Sequence, residues 1–133
     1  MSNKGIDKVA KIRKLNDLLR RYGIGGQILL TRSIRSKSKE EIAEIFEKIR
    51  TFSDFHRGND PYSERDFGSF DYKGEKIVWK VDYYSPDMKY GSEDPSDPSK
   101  CARTLTIMLD SDWWSNWKIK KYDKNKMYRY FLR

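Results

Sequence analysis

The 133 residues carry 28 Lys and Arg against 20 Asp and Glu, a net charge of +8, with 37% hydrophobic side chains and a single cysteine. That length suits one domain with a core of its own, while no run reaches the roughly 18 apolar residues of a membrane span and Cys101 has no second cysteine to pair with. The start of the chain lacks a basic and then apolar leader, so the expectation is a soluble, cytoplasmic protein.

The charge is uneven. Residues 1–50 carry +7 (13 basic, 6 acidic), residues 51–110 carry −4 (8 and 12) and residues 111–133 carry +5 (7 and 2). Basic ends around an acidic middle suit phosphate backbones or acidic protein surfaces as partners; the competing reading is a set of solvated helix faces.

In chain order, Ile6, Val9, Ile12, Leu15, Leu18, Leu19 and Tyr22 recur every three or four positions, the stripe of an amphipathic helix that ends at Gly23. Lys8, Lys11, Lys14 and Arg21 fall on the opposite, positive face. Gly25-Gly26 then breaks the chain before Gln27 to Arg32, which reads as a strand. Ser38 with Glu41 three residues on is a capping box for a second helix through Ile42, Ile45, Phe46, Ile49 and Phe52.

Phe67–Tyr72 and Glu75–Tyr84, joined by Lys73-Gly74, read as a β-hairpin with a positive-φ glycine in its turn. Alternation assigns Ile77, Trp79, Val81 and Tyr83 to the core face and Val78, Lys80, Asp82 and Tyr84 to the other. Lys80 and Asp82, two apart, are expected as a surface ion pair. Residues 85–98 hold three prolines and several acids and read as a loop. Thr104–Leu109 alternates again and closes the sheet, and Asp110-Ser111-Asp112 reads as the cap of a short helix containing Trp113, Trp114 and Trp117, residues of a core or lid. The expected architecture is a single α+β domain over residues 1–133, two helices packed on one face of a mainly antiparallel sheet of about four strands. A basic aromatic extension occupies residues 114–133.

The segments NDPY (59–62), DFG (66–68), WKVDYY (79–84), Gly91-Ser92 with Asp94-Pro95, and Arg103–Leu109 resemble a family of short bacterial proteins, the domain of unknown function numbered 3768. The resemblance runs from about Ala10 to about Trp113 in the same order. It implies a cytoplasmic accessory protein of alphaproteobacterial genomes and plasmids, often borne on mobile elements, and carries over no catalytic residues. Ser63 and Arg65 stand where that family has glycine and histidine, and the tail after Trp114 looks like an addition to it.

Several residue groups carry chemistry in principle. The stretch NDPYSERDFG (59–68) gathers Asp60, Tyr62, Glu64 and Asp66 into a candidate functional loop. With Asp71-Tyr72-Lys73 its carboxylates would suit a hard divalent cation and phosphodiester cleavage. The structural alternative has Asp60 forming an Asx-turn before Pro61 and Gly68 relieving a bend. His56 and Cys101 lack the partners of a nucleophilic triad, no Cys/His spacing suits zinc, and the glycines at 23, 25 and 26 precede a strand rather than a helix. No catalytic residue, cofactor or metal is therefore assigned. An open outer sheet face would make Tyr84, Lys80, Thr104 and Thr106 a platform for single strands. In the tail, Lys118, Lys121, Lys126, Tyr128 and Arg129 pair phosphate-neutralising cations with stackable rings.

The function expected from these features is that of a non-enzymatic bacterial or mobile-element accessory protein. It would bind an acidic partner, nucleic acid or a nucleic-acid-handling protein, through the first helix and the tail, as an inhibitor of a defence system would. The alternative is a metal-dependent nuclease or hydrolase at Asp60, Glu64 and Asp66, and a third reading is a subunit that occludes a protein surface.

Overall fold

The computed structural model describes residues 3–113. The expected tail contacts of Lys118, Lys121, Lys126, Tyr128 and Arg129, and the places of Trp114 and Trp117, lie outside the described residues. The elements are α1 (Asn3–Tyr22), β1 (Gln27–Leu30), α2 (Arg32–Arg35), α3 (Lys39–Arg50), β2 (Phe67–Tyr72), β3 (Glu75–Tyr84), a 3-10 turn (Pro98–Lys100) and β4 (Ala102–Leu109). The sheet order is β1-β4-β3-β2. β1 runs parallel to β4 and the other two pairings are antiparallel, so the fold is α+β on a mixed sheet.

Local chemistry explains most of these boundaries. The Ser38 hydroxyl accepts from the Glu41 amide at 3.1 Å and the Glu41 carboxylate accepts from the Ser38 amide at 3.3 Å, so two of the amides left open at the start of α3 are satisfied reciprocally. In the hairpin, Tyr72 pairs with Glu75, and both residues of the two-residue turn are left-handed, Lys73 at φ 49° and Gly74 at φ 81°. That twist matches the right-handed twist of the strands it joins.

The core lies between the helices and one sheet face, where Leu19, Ile34, Ile45 and Ile49 meet Ile77, Trp79, Val81, Leu105 and Ile107. Trp79 is enclosed edge-on by Phe52 and Phe55, with centroids 5.5 and 6.1 Å away.

The structure corrects several expectations. The strand expected over Gln27–Arg32 stops at Leu30, because Thr31 and Ile34 turn the chain into α2 and Ile34 is fully buried. Thr31 does not cap α2 with its side chain, since its hydroxyl donates to Asp112 at 2.7 Å. The Ser33 hydroxyl also donates to Asp112, at 2.9 Å, and so does the Leu109 amide, at 3.0 Å, so Asp112 ties β4 back to α2. The outer sheet face is not an open platform: Tyr84, Lys80, Thr104 and Thr106 are all buried. The Lys80–Asp82 pair forms at 2.6 Å, but with Lys80 only 6% exposed it is no surface pair.

Gly68 makes room for a neighbour. A Cβ there would lie 2.5 Å from Nε1 of the buried Trp79 indole. Gly26, likewise, approaches the Arg103 carbonyl so closely that a Cβ has no space, which lets the chain into β1 lie along β4.

Candidate functional loop and basic face

The loop between α3 and β2 is held mostly by its own backbone and by short polar side chains. Asn59 accepts from the His56 amide at 2.9 Å and donates to the Asp54 carbonyl at 2.8 Å, and the Ser63 amide closes a turn on the Asp60 carbonyl at 3.1 Å. The Asp60 carboxylate reaches further than an Asx-turn at Pro61 requires and accepts from the Arg65 amide at 2.9 Å. Two residues with Cβ atoms, Ser63 at φ 60° and Arg65 at φ 54°, occupy the left-handed region, which is costly for anything but glycine, asparagine or aspartate.

The candidate residues of the loop find different partners on folding. Tyr62 stands in solvent at 76% exposure. Glu64 accepts from the Tyr83 hydroxyl at 2.6 Å. Asp66 gives its backbone carbonyl to the Val81 amide at 2.8 Å, and its carboxyl is pushed up to about 6, first by burial and then by the charges of Glu64, Asp60 and Asp82. Among the described residues no three His, Cys, Asp or Glu side chains are grouped so as to hold a metal ion.

Behind the loop lies a buried polar belt that periodicity did not reveal. Asn16 of α1 donates to the Tyr83 hydroxyl at 2.8 Å and to the Glu64 carbonyl at 3.0 Å, and accepts from Nε of Arg103 at 2.7 Å. Arg103 also donates to the Pro95 carbonyl and lies over the Tyr83 ring at 5.3 Å. Burial raises the Tyr83 hydroxyl well above its ordinary pKa, so it stays a donor.

One turn on, the Arg20 guanidinium donates to the carbonyls of Ile49, Phe52 and Arg50 at 2.9, 3.1 and 3.2 Å, binding the end of α3. Its NH2 group donates to Asp17 at 3.0 Å, and Arg65 from the loop donates to the other oxygen of Asp17 at 3.0 Å. The Arg20 plane lies 5.3 Å from the Phe55 centroid and 5.5 Å from that of Trp79. Arg20 Nε and Trp79 Nε1 are buried donors without a hydrogen bond. The one sequence signal for the belt is that Asn16 and Arg20 stand at helical spacing from Ile12 and Leu19, inside the apolar period.

With Ile12, Asn16, Leu19 and Arg20 buried, the core side of α1 differs from the predicted stripe: Leu15 and Leu18 are only half-buried and Tyr22 is 64% exposed. Lys8, Lys11, Lys14 and Arg21 are exposed, as their spacing implies. Lys8 stands 3.9 Å from Asp94, and no ion pair among the described residues uses Lys11, Lys14 or Arg21. His56 is exposed and accepts from the Gly58 amide at 3.1 Å, and burial pushes the Cys101 thiol up, away from the reactive thiolate.

No curated protein and no solved structure matches the chain. Residues 30–112 match a family model described as a protein of unknown function, DUF3768. The matched segment contains the loop, the hairpin and β4, and leaves out α1 and the basic tail.

Proposed function

The chain belongs to the DUF3768 family, and we propose that it is a non-enzymatic accessory protein that binds an acidic partner through the solvent face of α1. One observation carries the reading. Lys11, Lys14 and Arg21 point to solvent from one long helix without an ion-pair partner among the described residues, while the other side of that helix is fastened to the core by Asn16 and Arg20. A rigid element presenting uncommitted cations is a preorganised polyanion surface, and nothing has to be broken to use it. The tail cations Lys118, Lys121, Lys126 and Arg129 would extend the same field. A bacterial mobile-element setting, with a nucleic-acid-handling or defence protein as target, fits a small basic chain of this kind.

The test is a fluorescence titration of labelled single- and double-stranded DNA and RNA at low and moderate salt. Binding that weakens with salt and is lost in Lys11→Glu/Lys14→Glu/Arg21→Glu supports the reading; binding that survives that triple change refutes it. The metal-dependent nuclease reading has less to support it, because Asp60 and Glu64 are already engaged by the Arg65 amide and the Tyr83 hydroxyl.

A further inference from the structure

The two sides of α1 carry the wrong residues for a helix that serves only its own core. Its buried side holds two polar residues, Asn16 and Arg20, while three of its larger apolar side chains, Leu15, Leu18 and Tyr22, are left half-buried or exposed. Buried polar groups and exposed apolar groups are the informative exceptions to the usual partition.

At 3.6 residues per turn, Lys11, Leu15, Leu18 and Tyr22 follow one another along a single line of the helix, and Lys14 and Arg21 flank Leu18, one on the turn before it and one on the turn after. Just past the left-handed Gly23, at φ 68°, Ile24 is a further exposed apolar side chain, at 57% against 64% for Tyr22. An apolar strip with uncommitted cations along one edge therefore runs along the helix.

From this we infer that the strip docks an acidic amphipathic helix of a protein partner. The inference rests on the proposed binding role of α1 and narrows its partner class. A phosphate backbone would use Lys11, Lys14 and Arg21 but gain nothing by covering Leu18 and Ile24. An amphipathic helix with carboxylates beside its apolar ridge meets both, the ridge excluding water from Leu18, Tyr22 and Ile24 while the carboxylates pair with the adjacent cations. The high net charge of +8 opposes a second copy of this chain as the occupant.

The test uses the full-length protein and three preparations: wild type, Tyr22→Ser/Ile24→Ser, and Lys11→Glu/Lys14→Glu/Arg21→Glu. Each is titrated by fluorescence anisotropy with a labelled 18-residue amphipathic helix made only of Glu and Leu, and separately with a labelled DNA duplex. The expected result is that wild type binds the peptide, the serine pair weakens that binding at least tenfold, and the charge reversal abolishes it. Unchanged far-ultraviolet dichroism and Tm would show that the serine variant is folded.

Three results overturn the inference. The first is wild type failing to bind the peptide, or the serine pair binding it as wild type does; if the duplex is bound nonetheless, nucleic acid is the partner and the binding role stands, whereas failure with both probes removes the role as well. The second is the serine pair weakening duplex binding as much as peptide binding, which would assign Tyr22 and Ile24 to a nucleic-acid contact. The third is a wild-type dimer in sedimentation that the serine pair dissolves, which would make a second copy the occupant.

Discussion

Arg103 of β4 donates from Nε to Oδ1 of Asn16 on α1 at 2.7 Å, closing a contact across 87 positions of the chain. Through the same Asn16 amide the contact passes to Tyr83 and to the Glu64 carbonyl, so one asparagine holds the first helix, the last two strands and the NDPYSERDFG loop in register. Its place in the apolar period of α1 invites the wrong substitution. Asn16→Leu would improve the helix pattern, yet it leaves one buried donor on Arg103, its Nε, and an unpaired Glu64 carbonyl. Each such loss costs about 1–3 kcal/mol, and the expected destabilisation is about 3 kcal/mol, read from the midpoint of urea unfolding. An equal or higher midpoint would show that the belt adds nothing to stability.

Asp66 makes stability depend on pH. Its folded pKa, about 6, lies above its ordinary value of 3.8, so the stability linked to this group is fully present below about pH 4 and is lost as pH rises through about 6. Two units correspond to at most about 3 kcal/mol, and partial solvent access reduces that. Asp66→Asn should therefore raise Tm at pH 7.5 and leave it unchanged at pH 3.5. A gain of the same size at both pH values would mean that proton linkage is not its source.

Ser63 sits at φ 60°, where glycine has no Cβ to strain. Ser63→Gly should stabilise the protein by roughly 0.5–1 kcal/mol. Arg65→Gly, at the neighbouring left-handed position, relieves similar strain but loses the 3.0 Å pair with Asp17 and the contact with the Phe55 ring, and is expected to give no gain. Chemical denaturation of the two variants side by side distinguishes strain from side-chain anchoring.

Gly68→Ala places a methyl group 2.5 Å from Trp79 Nε1 and 2.7 Å from two indole carbons. Trp79 is fully buried and packed edge-on against Phe52 and Phe55, so the indole has little room to shift. A loss of about 1–3 kcal/mol is expected from overpacking, and Gly68→Ala/Trp79→Phe should recover part of it by removing the second ring of the indole. The same cost in the Trp79→Phe background would place the effect in the strand backbone instead.

What the sequence determined is local. The Ser38–Glu41 box starts α3, Lys73-Gly74 sets the hairpin register, and period-two alternation assigns Ile77, Trp79 and Val81 to the core, because each depends on residues a few positions apart. The exposure of Lys8, Lys11, Lys14 and Arg21 was legible in the same way. The tertiary structure decided what hangs on distant partners: which side of α1 is buried, that Lys80 and its neighbours on the outer sheet face are covered, that Asp112 answers Thr31 and Ser33, and that Gly68 serves Trp79. Periodicity sorts residues by polarity, so it assigned Leu15, Leu18 and Tyr22 to the core and left Asn16 and Arg20 out of it. Folding sorts polar groups by whether they find partners, and Arg103, Tyr83 and the carbonyls at the end of α3 supply those partners from far along the chain.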